Sequence, residues 1–287
     1  MRDAAHGGSL KHEVFHTPFE VNPRFEAWPT PGRYRDYPGG DKLPDKIKVW
    51  RVQRPKKRSS GSVVSRGWGF DDSPDAEALV AGYNTGKEYG AVGVGRQGNF
   101  LQWGFSAPPS TMTGAGRRLF FNCICYIHKF DGKRPLIRKE RGDRTYAVRD
   151  AMLINKIKNK EFFRGSFTPE QMEKYKSDPA GLTKVYADGF ELIYRDKTYR
   201  IDEDLTALGL KSNRTVETLQ KLIELLTDAK HADRARRLLQ RYVAASFETS
   251  AQWQAWFRKN RDRIYFSDVG GYKFRVVPKG YLTKPLR

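Results

Sequence analysis

His12-Glu13-Val14-Phe15-His16 has the His-Glu-x-x-His spacing of zinc peptidases. On a helix, two histidines four apart share one face and hold the metal, while the glutamate activates its water. That chemistry needs a sustained helix and a third protein ligand. Gly7-Gly8 stands before the motif and Thr17-Pro18 cuts it off, leaving about two turns of helix at most. Glu20 and Glu26 fall in a proline-rich stretch, and Glu77 is the only nearby acid that opens an apolar segment. Val14, Phe15 and Val21 fit an extended, half-buried segment better. The histidines therefore read as ordinary surface residues, with a zinc hydrolase through His12, Glu13 and His16 as the lesser alternative.

Gly93-Val94-Gly95-Arg96-Gln97-Gly98 spells Gly-x-Gly-x-x-Gly. A dinucleotide site needs that loop to open a helix, whose N-terminus receives the pyrophosphate. Here Asn99-Phe100-Leu101-Gln102-Trp103 follows, which is strand-like, and residues 106–130 contain no acid to bind a ribose. The expectation is that these glycines bend one strand back into another. Gly82 to Lys87 is one residue too tight for a P-loop and lacks a following Ser or Thr. Arg66-Gly67-Trp68-Gly69-Phe70 opens like an RNA-recognition strand, but Asp71-Asp72 stands where that signature wants apolar residues, so a turn with packed aromatics is expected. Cys123 and Cys125, two apart on a helix, point about 200° from each other and cannot share a metal there. No Gly-x-Ser-x-Gly or Gly-x-Cys-x-Gly elbow presents a nucleophile.

The chain that must position these residues has 287 of them, a prior for about two domains. Its formal charge of +20 is spread unevenly. Residues 51–70 carry six basic and no acidic groups, 231–287 carry thirteen against four, and 71–110 carry two against five. An anionic partner fits that balance, although no single stripe does. Two cysteines make no disulfide framework, and no apolar run approaches the roughly 18–20 residues of a membrane span. A soluble chain, cytoplasmic by default, is expected; a secreted parent stays open if the start is truncated.

Prolines 18, 23, 29, 31 and 38 make residues 1–46 an extended strap. Residues 46–54 alternate Ile47, Val49 and either Trp50 or Val52 and read as a strand. A basic loop at 55–62 follows, then strands at 76–83 and within 90–107. Leu119, Phe120, Cys123, Ile124 and Ile127 mark a helix capped by Thr111 or Thr113 and ending near Gly132. A basic linker leads to a helix over 145–163. A hairpin turns about Asp196-Lys197. Three helices follow, marked by Val216–Leu226 with Asn213 as cap, by Ala235–Tyr242, and by Trp253–Phe257 after Thr249 and Ser250. A last hairpin crosses Gly270-Gly271. The arginines at 234, 236, 237 and 241 read as a solvated face.

"GAVGVGRQGNFLQWGFSAPPSTMTGAGRRLFFNCICYIHKFDG", at 90–132, resembles the closing strands and last helix of class I glutamine-amidotransferase-like domains, particularly bacterial relatives of the trehalose-utilisation (ThuA-like) group. The resemblance covers about residues 10–133. Active members use an elbow cysteine with a downstream histidine and glutamate. No such cysteine stands here, so the resemblance implies no catalytic role for any position. It leaves a ligand groove around Arg96, Asn99 and Trp103.

The expected architecture is thus a partial α/β, amidotransferase-like layer (47–133) after the strap, a basic linker and helix (134–165), and a mainly α region with a C-terminal β-hairpin (166–287). The expected function is a non-catalytic interaction or ligand-binding protein, without cofactor or metal. Its partner is unknown, either an anionic one or a protein. Polyanion or nucleic-acid binding through the basic surface is the second reading.

Overall fold

The computed structural model describes residues 2–6, 9–55, 65–139, 142–154 and 156–281. Gly7-Gly8 and, apart from Pro55, the basic loop expected at 55–62 lie outside the described residues. The chain divides into two compact units, Met1–Asp71 with Asp75–Leu136, and Asp72–Pro74 with Ile137–Arg287. Secondary structure is mixed α and β, and among the described residues no helix is long and apolar enough to cross a membrane.

In the first unit β1 (Ala4–His6), β2 (Phe25–Pro29), β3 (Lys46–Arg51), β4 (Ala76–Ala81), β5 (Val92–Gln97) and β6 (Phe100–Trp103) form one sheet in the order β2-β3-β1-β4-β5-β6. Every pairing is antiparallel. The strand period of two sorts side chains onto two buried faces. Ile47 and Val49 pack with Ala4 and Tyr34 on one side, and Trp50 and Val52 pack with Ala5 and Leu119 on the other. Both Trp50 and Val52 are buried, which is why the alternation in 46–54 looks imperfect from the sequence.

The strap is more ordered than its prolines suggest, since β1 and β2 both belong to the sheet. β1 has three residues, too few to show a period. Pro29 is tolerated because β2 is an edge strand. The glycine-rich stretch joins strand to strand. Gln97 pairs with Phe100 across the two-residue loop Gly98-Asn99, and Gly98 takes φ +54° where a type II′ turn needs a positive angle.

α1 (Gly114–Ile127) starts where Thr113 accepts the Gly116 amide and lays Leu119, Cys123 and Tyr126 on the sheet. Its first turn approaches the backbone at Val52 so closely that a β-carbon on Gly116 would overlap the Val52 carbonyl. Gly114, two residues earlier, is exposed and faces only the flexible tip of Arg118.

The second unit is mainly helical. α2 (Arg144–Leu153), α3 (Pro169–Lys174) and α4 (Pro179–Asp188) precede a hairpin of β7 (Ile193–Arg195) and β8 (Tyr199–Ile201). α5 (Glu203–Ala207), α6 (Val216–Glu224), α7 (Ala232–Tyr242) and α8 (Ser250–Asn260) lead to the closing hairpin of β9 (Ile264–Ser267) and β10 (Lys273–Val276). Leu219, Leu222, Leu238, Trp253 and Phe274 centre one core, and Ala147, Phe163, Leu182, Tyr186 and Tyr199 centre another.

Three expectations need correction. The helix expected over 145–163 ends at Leu153, and residues 160–163 form a separate 3₁₀ turn. α3 and α4 were not foreseen, although Thr168-Pro169 and Asp178-Pro179 place a capping side chain before a first-turn proline. The cap of α6 is Thr215, because Asn213 is wholly buried and spends its amide elsewhere.

Gly116→Ala and Gly114→Ala make a matched test of the helix–sheet contact. The first must push α1 off Val52 and is expected to cost about 1–3 kcal/mol. The second gains helix propensity at an open position and should be neutral or stabilising by up to about 1 kcal/mol. Urea unfolding of both variants measures the difference.

Candidate functional site

Arg96, Asn99 and Trp103 do not converge. Arg96 and Trp103 lie on the sheet face that α1 covers, because Trp103 pairs with Val94, two residues from Arg96. Arg96 is buried, donates from Nε to Glu77 at 2.9 Å and from Nη1 to the Gly98 carbonyl at 2.9 Å, and stacks on Phe130 at 3.7 Å. Tyr126 donates to the same Glu77 oxygen. Burial works against the Glu77 charge, yet the hydrogen bonds from Arg96 and Tyr126 outweigh it and hold the carboxyl below its usual range. Trp103 donates to the Phe105 carbonyl at 3.0 Å and packs between Phe105 and Phe120. Asn99 sits in the turn, its Oδ1 buried without a hydrogen-bond partner. Packing, not a shared groove, accounts for Arg96 and Trp103.

The two histidines of the opening motif are also held apart. Only Glu13–Phe15 is helical, a single 3₁₀ turn, with His12 capping it through Nδ1. His12 Nε2 stands 4.0 Å from Glu77, and burial lowers its pKa below the ordinary value despite that carboxylate. His16 lies between Glu20, at 3.0 Å, and the Leu10 carbonyl, which raise its pKa. Among the described residues no group of three His, Cys, Asp or Glu side chains could hold a metal ion. Arg66 pairs with the buried Glu88 and faces Tyr37 and Trp68, so its glycine-rich stretch is a packed turn. The arginines of α7 are engaged rather than merely solvated. Arg234 and Arg237 bond Asp204, Arg241 bonds Asp202, and Arg236 bonds Asp233.

A different set of residues meets in the second unit. A cleft of about 610 Å³ is lined by Arg138, Lys139, Arg195, Asp196, Asp268, Gly271 and Tyr272. They come from three segments: the chain before α2, the β7–β8 turn, and the β9–β10 turn. The last turn is fixed from beneath. Arg144, at the start of α2 and wholly buried, donates from Nε and Nη2 to the two oxygens of Asp268, each at 2.7 Å. It also reaches the Phe190 carbonyl at 3.1 Å and Asn213 Oδ1 at 2.9 Å. Asp268 in turn accepts the Arg144 amide, and its carbonyl accepts the amides of Gly271 and Tyr272.

Two features of the cleft are unusual. Tyr272 adopts φ +55°, a backbone region a bulky side chain enters only when its surroundings force it. Its hydroxyl is buried without a hydrogen-bond partner, and so is Nε of Arg195, whose Nη2 bonds the Gly165 carbonyl at 2.9 Å. Buried polar groups are paired in the great majority of cases, so two orphaned donors in one cleft wall are an anomaly with chemical content. Burial, with Asp268 nearby, pushes the Tyr272 pKa well above its ordinary value, which keeps the hydroxyl protonated.

Sequence reasoning missed this cleft. The basic stretch before α2, the Asp196-Lys197 turn and the Gly270-Gly271 turn were each legible, but nothing local says that they meet.

Two carboxylates beside Asp268 titrate late. Burial, reinforced by the Asp268 charge, raises Asp143 to about 7. Burial also raises Asp72 to about 6, against the pull of the Val269 amide and Lys139. A carboxyl that holds its proton more tightly when folded than when unfolded makes the fold more stable at low pH, and this advantage fades as pH rises through the folded pKa. Most of the loss falls below pH 6.5, and between pH 6.5 and 8 the melting temperature should fall by about a further 1–3 °C from Asp143 alone. Asp143→Asn keeps a capping oxygen for the Thr145 amide and should remove that part of the fall. Calorimetry of both proteins at the two pH values is the measurement.

The chain matches no family model, no curated protein and no solved structure.

Proposed function

We propose that this protein is a binding protein for a small anionic ligand, held in the cleft of its second unit. The observation that carries the reading is the pair of buried, partnerless donors, Tyr272 Oη and Arg195 Nε, in a wall that also presents Arg138 and Lys139. A ligand rich in acceptors would satisfy both donors, and a volume near 610 Å³ lies in the range of small-molecule sites. The left-handed backbone at Tyr272 fits a residue held for binding rather than for stability.

Arg96, Asn99 and Trp103 contribute nothing to this site, and neither does the amidotransferase-like resemblance of residues 10–133. Broad polyanion binding gains little support from α7, whose arginines are matched by Asp202, Asp204 and Asp233.

Thermal melting in the presence of phosphate, sulfate or acetate tests the proposal. An anion that binds the folded protein stabilises it by about 2.7 kcal/mol at a hundred times its Kd. At least one of the three should raise the melting temperature by several degrees. Arg138→Glu, a reversal at an exposed position, should abolish that rise while leaving the anion-free melt nearly unchanged. Equal shifts in both proteins, or none in either, would sink the reading.

A further inference from the structure

Beyond the anion cleft, we infer that the second unit holds a separate site for a zwitterion with an apolar body, namely a short apolar peptide with free ends. Its carboxylate pairs with Arg200 and its ammonium with Glu170. The site is a cleft of about 700 Å³ that shares no lining residue with the one described above. Its walls are α3 with its cap, α4, the β7–β8 hairpin, the start of α5 and Arg241 of α7. A volume of this size lies in the range of small-molecule sites and has room for two or three residues.

Most polar groups of the cleft are spent on the fold. Thr168 and Gln171 cap α3 reciprocally, and Gln171 also donates to Tyr186 Oη at 2.9 Å. Tyr186 in turn donates to the Tyr199 carbonyl at 2.7 Å. Asp202 caps α5 and accepts from Arg241 and Tyr242, while Asp204 accepts from Arg234 and Arg237. Four charged side chains of the lining are left. Glu170, Lys174, Arg200 and Glu203 form no ion pair among the described residues. Their formal charges cancel, so the cleft favours neither a simple anion nor a simple cation. A ligand with one charge of each sign at separate ends is complementary to it.

Placement singles out Arg200 and Glu170. Arg200 is the cross-strand partner of Tyr194, so both side chains leave the hairpin on one face, and both line the cleft. Glu170 stands on another wall, in the first turn of α3. Its own amide and Thr168 hold the Glu170 carboxyl below the usual range, and the Arg200 charge adds to their pull. The two groups thus sense each other without forming a pair, and a molecule with opposite charges at its ends fits between them. Lys174 already lies over the Tyr175 ring at 5.2 Å. The guanidinium fork of Arg200 suits a carboxylate, which accepts two parallel hydrogen bonds. Apolar and aromatic groups make up much of the remaining lining. Leu182 and Tyr186 are buried, Tyr194 and Ile201 are partly covered, and Val185 is left exposed on α4. Such a wall takes an aliphatic side chain, whose burial adds to the affinity.

Isothermal titration at pH 7 compares leucyl-leucine with L-leucine, with 4-methylpentanoate, which keeps only the carboxylate, and with 3-methylbutylamine, which keeps only the ammonium. The full chain, Arg200→Gln, Glu170→Gln and Arg138→Glu are titrated with each. Arg200 and Glu170 are exposed, so both variants should fold as the parent does. The dipeptide should bind about tenfold more tightly than either single-charge compound. Arg200→Gln should weaken the dipeptide and the carboxylate about tenfold and leave the amine unchanged. Glu170→Gln, at a carboxyl that water screens, should weaken the dipeptide and the amine about threefold and leave the carboxylate unchanged. Arg138→Glu should alter none of these, which separates this site from the anion cleft. A carboxylate as tight as the dipeptide, a dipeptide indifferent to both Arg200→Gln and Glu170→Gln or lost in Arg138→Glu, or no binding at all overturns the inference. L-Leucine binding as tightly as the dipeptide overturns the assignment to a peptide and leaves the zwitterion site standing.

Discussion

The buried ion pair between Arg144 and Asp268 is the constraint on which the second unit turns. Arg144 is the first residue of α2, Asp268 follows β9, and the same guanidinium holds the Phe190 carbonyl and Asn213. Asn213 passes the restraint on by donating to the Ile193 carbonyl of β7 at 2.8 Å. Burial opposes the charge on Arg144, and Asp268 more than offsets it. Such a pair adds little net stability over a well-packed apolar core, but removing one partner strands the other and costs about 3–5 kcal/mol. Its value is positional, fixing one helix start, one strand and one turn at a single point.

That fixed point explains why strain can be tolerated next to it. The Asp268 carbonyl collects the amides of Gly271 and Tyr272, and the turn is further held by Gly270 bonding Ser267 Oγ and by Arg275 reaching the Gly270 carbonyl. Tyr272 is thereby committed to a left-handed backbone and to a buried hydroxyl without a partner. Costs of this kind, of order 1–3 kcal/mol for the backbone, persist only where surrounding contacts over-determine the conformation. They gather in a wall that also carries Arg138, Lys139 and Arg195.

The first unit shows the opposite arrangement. Apart from Asn99, whose Oδ1 is buried without a partner, most of its suggestive residues are satisfied by one another. Glu77 takes Arg96 and Tyr126, His16 takes Glu20, Arg66 takes Glu88, and the buried Asn122 ties α1 to Val14 and Phe19. The motif letters were real, but a motif does chemistry only when its side chains are left with something to do.

The sequence alone determined the local elements. Strand alternation within 46–54, a strand-to-strand turn within 93–98, a cap for α1 at Thr111 or Thr113 and the turns at 196–197 and 270–271 follow from interactions between residues a few positions apart. The same local evidence sufficed to deny the glycines of 93–98 a helix to open. It was insufficient for β1, where three residues carry no period, and for the run after Leu153, where apolar spacing suggested one helix and the chain makes two separate pieces. Tertiary structure decided which polar groups are spent and which are not. Arg96 and Arg195 look alike in sequence, each an arginine in a strand before a turn. One meets a carboxylate and a carbonyl across its own sheet and under α1, while the other meets a carbonyl with its tip and leaves Nε bare. Hydrogen-bond satisfaction depends on neighbours from distant parts of the chain, and no window along the sequence contains them.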